Sequence, residues 1–134
     1  MKYLVCGLPG TGKTTYIKNR LGMDGLCYDL DAIAAALRLR GPHEENHAQA
    51  RGLANKMLFA FCSYARDFAR DVYIIRTAPQ IEEMRRIMPD KVIICKNRYV
   101  RRGTAGTNEA ELVKRLEAVK DYCRRYNIQV ETQA

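Results

Sequence analysis

Residues 3–15 read Tyr-Leu-Val-Cys-Gly-Leu-Pro-Gly-Thr-Gly-Lys-Thr-Thr, and the order of residue types in that stretch decides the fold. Tyr3 to Cys6 is a short apolar run of buried-strand type. Gly7 opens a glycine-rich turn, and the pattern from Lys13 to Leu21 predicts a helix closed by Gly22. Gly7, four residues, then Gly12-Lys13-Thr14 completes the spacing G-x-x-x-x-G-K-[ST] of a loop that cradles phosphates, placed between a strand and a helix as that loop requires.

A triphosphate has to be wrapped by backbone N–H groups, and side chains would block its approach. Gly7, Gly10 and Gly12 keep the backbone bare. The start of the helix offers its positive dipole end, Lys13 can reach the β- and γ-oxygens, and the Thr14 hydroxyl can ligate Mg²⁺. Pro9, Thr11 and Thr15 complete the set of expected loop contacts. ATP with Mg²⁺ is the ligand this pattern predicts.

The chain has 134 residues, enough for one domain with a proper core, so 1–134 is read as a single nucleotide-binding domain. No stretch approaches the ~18 to 20 uninterrupted apolar residues of a membrane span. The first strand begins at residue 2 or 3 and leaves no room for a targeting peptide, which makes a soluble cytoplasmic protein the expectation. Cys6, Cys27, Cys62, Cys95 and Cys123 are scattered singly, without C-x-x-C pairing, and read as small buried hydrophobes in a reducing compartment. The net charge of +8 suggests an anionic partner.

Further along, Leu26-Cys27-Tyr28 reads as a second strand leading into Asp29-Leu30-Asp31, and 32–39 as a helix stopped by Arg40-Gly41-Pro42. From Glu45 to Arg70, apolar residues recur at steps of three and four, including Ala50, Leu53, Ala54, Met57, Leu58, Phe61, Tyr64 and Ala65. They predict a long helix with one wide core-facing stripe. Val72 to Ile75 is a third strand. Thr77 and Gln80 have the spacing of a capping box for a helix running to Met88 and stopped by Pro89. Lys91 to Cys95 is a fourth strand, 96–107 a basic loop, 108–126 a last helix with Leu112, Val113, Leu116, Val119 and Cys123 on one face, and 128–132 a candidate fifth strand. Strands alternating with helices predict a three-layer α/β P-loop NTPase fold, a parallel sheet of four or five strands with helices on both faces. Its ligand belongs at the carboxyl ends of the strands, where residues 7–14, 29–31, 76–80 and 96–102 would converge.

Other residues narrow the phosphate chemistry. The third strand ends in Ile75-Arg76-Thr77, where ATPases place the Asp that holds Mg²⁺, and the guanine-reading N-K-x-D is absent. This argues against a motor ATPase or a switch GTPase. Asp29 and Asp31 follow the second strand, where a carboxylate can face the γ-phosphate and take a proton from an acceptor hydroxyl. Either could instead cap the helix that follows, and Asp29 is also a candidate for contact with a Mg²⁺-bound water.

Residues 7–15, the strand end Tyr28-Asp29-Leu30-Asp31 and an arginine-bearing segment after the fourth strand together resemble small P-loop kinases of the polynucleotide-kinase and zeta-toxin type, including compact phage-encoded versions. The resemblance implies that Asp31 is the general base. It also implies that a lid carrying Arg98, Arg101 and Arg102 neutralises the transferred phosphate. The chain departs from the family pattern at Ala34, where an Arg is frequent, and at Thr77, where an Asp is frequent.

Residues 76–102 hold eight basic and three acidic residues, concentrating the positive charge beside the expected site. A solvated surface loop is the other reading of that run. His43 and His47 with Glu44 and Glu45 read as a solvated loop, while Arg38, Arg40 and His43 are candidates for contact with an acceptor. The expected function is transfer of the ATP γ-phosphoryl group to a nucleotide, a nucleic-acid 5′ end or a small-molecule hydroxyl. The alternative is a nucleotide-binding regulatory protein with little turnover.

Overall fold

A computed structural model describes residues 1–23, 25–41, 47–67, 71–96 and 109–133. Its elements follow in the order β1 (Lys2–Cys6), α1 (Lys13–Lys18), β2 (Leu26–Asp29), α2 (Leu30–Ala36), α3 (Ala48–Arg66), β3 (Val72–Arg76), α4 (Ile81–Ile87), β4 (Lys91–Cys95), α5 (Glu109–Arg125) and β5 (Gln129–Gln133). All five strands are parallel in one sheet, ordered β2-β3-β1-β4-β5. The candidate fifth strand is therefore real, and it pairs with β4 from Lys91 opposite Gln129 to Cys95 opposite Gln133.

Alternation along each strand divides the core between the two faces of the sheet. Leu4, Cys6, Tyr28, Ile74, Val92 and Ile94 pack with residues of α2, α3, α4 and α5. Val5, Tyr73, Ile93 and Cys95 point the other way and meet Ile17 and Tyr16 of α1. Among the described residues helices thus lie on both faces, unequally: four on one, the six-residue α1 on the other. Among the described residues no helix is long and apolar enough to cross a membrane. All five cysteines are free, with Cys6, Cys95 and Cys123 buried and Cys27 and Cys62 half-buried.

Several helix ends differ from the sequence expectation, each for a local reason. α1 stops at Lys18, short of Leu21, with the Arg20 guanidinium bonding the Tyr16 carbonyl at 3.2 Å and lying 3.7 Å over the Tyr16 ring. α2 starts two residues early, because Asp29 caps it. α4 has Gln80 as its N-cap with no side-chain bond, so the Thr77/Gln80 capping box does not form. With Gln80 as the cap, Thr77 lies three residues before it, and its carbonyl accepts from the Gly7 N–H at 3.0 Å. α3 begins at Ala48, with His47 Nδ1 accepting from the Ala50 N–H at 3.3 Å, which makes His47 a cap in place of a solvated loop residue. His43, Glu44 and Glu45 lie outside the described residues.

The wide stripe expected on α3 is narrower in the structure. Ala50, Ala54, Leu58 and Ala65 are buried, while Leu53, Met57 and Tyr64 are exposed. Small residues on the buried arc leave the larger ones on the flank. Val113 of α5 likewise faces out.

The end of α2 carries a second local feature. The Arg40 N–H bonds the Ala35 carbonyl and the Leu39 N–H bonds that of Ala36, the paired closure of a Schellman motif, with Leu39 at the left-handed position (φ 57°) usually given to glycine. Leu39 is 95% exposed, so its side chain returns nothing for that strain. Leu39→Gly is expected to stabilise the fold by about 1 kcal/mol, measurable by urea denaturation.

Candidate functional site

Gly7 sits where the chain leaves β1, and its backbone is pressed against two neighbours. A Cβ there would lie 2.5 Å from Thr11 Oγ1 and 2.6 Å from the Cys95 carbonyl oxygen. Gly7→Ala is expected to destabilise the protein by roughly 2–4 kcal/mol through overpacking against backbone and strain at the turn; a thermal melt reads it. Gly10 and Gly12 take positive φ (80° and 83°), and Gly12 is the N-cap of α1.

Side chains inside the loop brace it. Thr11 is buried and donates to the Leu8 carbonyl at 2.7 Å, an internal strut where the sequence suggested an outward contact. Lys13 Nζ donates to the carbonyls of Gly7 (2.5 Å) and Leu8 (3.1 Å). Burial lowers the Lys13 pKa from the ordinary lysine value, partly opposed by negative charge at neighbours that include Asp31 and Asp29. Thr14 and Thr15 are exposed on the first turn of α1.

Facing the loop is the end of β2. Asp29 Oδ1 accepts from the N–H groups of Asp31 (3.1 Å) and Ala32 (3.3 Å), the geometry of an N-cap. Asp31, in the first turn of α2, is thereby free of any capping duty. Its carboxylate is instead bonded by Arg51 Nη1, reaching across from α3.

Arg76 ends β3, beside Cys6 at the end of β1. Its side chain is 14% exposed, and it pairs with Glu83 of α4 while donating to Asn55 Oδ1 of α3 at 3.4 Å. A largely buried guanidinium is held here by a carboxylate and an amide, as the cost of removing it from water demands.

Between these groups lies a cleft of about 660 Å³. Its walls bring together the loop from Pro9 to Thr15, the Asp29–Asp31 segment, Arg51 and Asn55 of α3, Arg76, Thr77 and Ala78 after β3, Glu83 of α4, and Leu112 and Arg115 of α5. The loop, the β2 end and the β3 end therefore converge. Arg98, Arg101 and Arg102, the expected lid residues, lie outside the described residues. Arg38 and Arg40 do not line the cleft.

Four lining residues were not picked out from the sequence: Arg51, Asn55, Glu83 and Arg115. One signal pointed to the first of them. Arg51 lies in the opening turn of a helix, where a cation opposes the peptide dipoles, and that placement calls for a partner outside the helix.

Among the described residues no group of three or more His, Cys, Asp or Glu side chains could hold a metal ion by itself. Mg²⁺ needs no such cage, since it keeps several waters and takes one or two protein oxygens plus phosphates. The exposed Thr14 hydroxyl, with Asp29 across the cleft, is a donor set of that kind. No protein-family model matches this sequence, and no curated protein is significantly similar to it.

Proposed function

We propose that the protein is an ATP-dependent phosphotransferase built on a P-loop NTPase fold, similar to the small kinases of polynucleotide-kinase and zeta-toxin type. One observation carries the reading: a Gly-Lys-Thr loop between β1 and α1 shares a single cleft with a carboxylate, Asp31, that has no part in capping its own helix.

In this reading the amides of residues 10–15 and Lys13 hold the phosphates of ATP, with Lys13 leaving the Gly7 and Leu8 carbonyls to do so. Thr14, and Asp29 through water, would hold Mg²⁺, which when bound would supply positive charge against the phosphates. The acceptor oxygen bonds to the γ-phosphorus, the bond from that phosphorus to the β–γ bridging oxygen breaks, and ADP departs with the electron pair. The acceptor hydroxyl proton passes to Asp31. Arg115 reaches the same cleft and is placed to offset charge on the transferred group.

The test is incubation with γ-labelled ATP, Mg²⁺ and a panel of nucleosides, nucleotides, 5′-hydroxyl oligonucleotides and sugars. A labelled acceptor supports the phosphotransferase. ATP binding with no labelled product across the panel would instead favour a nucleotide-binding regulatory protein of low turnover, in which a sequestered Lys13 and a bridged Asp31 are the resting condition.

A further inference from the structure

Arg51 occupies a position that neither helix stability nor core packing explains. It sits in the first turn of α3, against the dipole, where the cap is already supplied by His47 and the buried face by Ala50, Ala54 and Leu58. Its guanidinium lines the cleft. Asp31 is its one side-chain partner among the described residues, bonded through a single nitrogen of a group with five N–H donors. The pair is open to solvent at both ends, with side chains 36% and 62% exposed. Pairs so exposed are weak and easily exchanged.

A second guanidinium, Arg76, faces the same cleft but is closed off by Glu83 and Asn55. Arg51 is thus the arginine bonded to Asp31 that has donors to spare, while Arg115 of α5, which also lines the cleft, is paired with Glu111 at 3.8 Å. A phosphate suits it, because two of its oxygens match the fork of the guanidinium better than the single Asp31 contact does.

We propose that the Asp31–Arg51 pair is a latch worked by the second substrate: a phosphate carried by the acceptor takes Arg51, and the Asp31 carboxylate, released, accepts the acceptor's hydroxyl proton. This rests on the phosphotransferase reading for the part played by Asp31. It makes the acceptor a phosphorylated hydroxyl compound and excludes neutral sugars and free nucleosides as good acceptors. It also restrains waste. Hydrolysis of ATP is the same displacement with water as the attacking oxygen and the same proton going to Asp31, and without an acceptor phosphate that carboxylate stays on Arg51.

The experiment uses the full chain with Mg²⁺ and a saturating non-hydrolysable ATP analogue, so that the Gly7–Thr15 loop is already occupied. Ribose against ribose 5-phosphate, and a nucleoside against its monophosphate, are titrated by calorimetry. The phosphorylated member of at least one pair should bind roughly 10-fold or more tightly, and Arg51→Gln should reduce that preference to about 3-fold or less. Arg51→Lys should keep part of it, which a loss of folding would not allow. In a separate assay with ATP and Mg²⁺ and no acceptor, Arg51→Gln should also raise ATP hydrolysis. Which pair shows the preference tells whether the phosphate arrives on a sugar or on a nucleotide.

Equal binding of both members by the unmodified protein overturns the latch, and so does a preference that survives in Arg51→Gln or a fall in its acceptor-free hydrolysis. If the preference follows Arg51 as described but no acceptor is ever labelled, the phosphotransferase reading fails while the exchange of anions at Arg51 stands.

Discussion

Lys13→Ala is expected to weaken ATP binding by roughly 10- to 150-fold, the loss of a charged hydrogen bond to phosphate worth ~1.5–3 kcal/mol. The structure sharpens how that result has to be read. Lys13 Nζ is bonded to the Gly7 and Leu8 carbonyls, so the substitution also removes two struts of the loop. A loop that merely loosens would lower the melting temperature of the free protein. Loss of a phosphate contact would remove the stabilisation that ATP adds on top. Calorimetric titration and melting curves with and without ATP separate the two, and an unchanged dissociation constant would remove the phosphate-loop reading altogether.

Asp31→Asn is expected to lower the rate of phosphoryl transfer by ~10²- to 10⁴-fold while leaving ATP affinity within a few-fold, since a general base moves a proton but holds no phosphate of the nucleotide. The usual objection to such a result is that the substitution uncaps a helix. Here it does not apply, because the bonds to the first turn of α2 come from Asp29. Asp29→Asn is the matched control. Asn caps about as well as Asp, so that variant should keep its stability and show at most the loss of a water-mediated metal contact. Single-turnover measurements on both variants decide the matter. A normal rate in Asp31→Asn with a defect in Asp29→Asn would transfer the role to the other carboxylate.

The parts of the molecule legible in the sequence are those set by neighbours along the chain. Apolar runs at Tyr3–Cys6, Val72–Ile75 and Lys91–Cys95 marked strands because fully buried parallel strands need little else. Gly7 to Thr14 was legible because backbone approach restricts each position. What was missed depends on partners distant in sequence. Arg51 meets Asp31 across 20 residues, and Arg76 meets Asn55 across 21. Thr77 and Gln80 had the right spacing for a capping box, yet the helix starts later, at Ile81 with Gln80 itself as the N-cap, which leaves Thr77 outside it. On α3, periodicity found the helix but gave its apolar arc too much width. Spacing alone cannot tell Leu53, Met57 and Tyr64 on the flank from Ala54 and Leu58 beneath it.

The unequal covering of the sheet sets where the molecule yields first. Four helices share one continuous core, so none of them can leave without exposing the apolar surface of the others. Among the described residues α1 is the one helix on the opposite face, seated through Ile17 and Tyr16, with the Tyr16 hydroxyl tied to Glu131 of the edge strand at 3.1 Å. Partial opening is cheapest where few buried contacts have to part, so α1 is expected to open before any helix of the four-helix layer, and faster amide exchange in α1 than in α3 or α5 would show it. If the segment wraps a nucleotide, as proposed above, the order gained on binding falls mainly on this thinly covered side of the sheet.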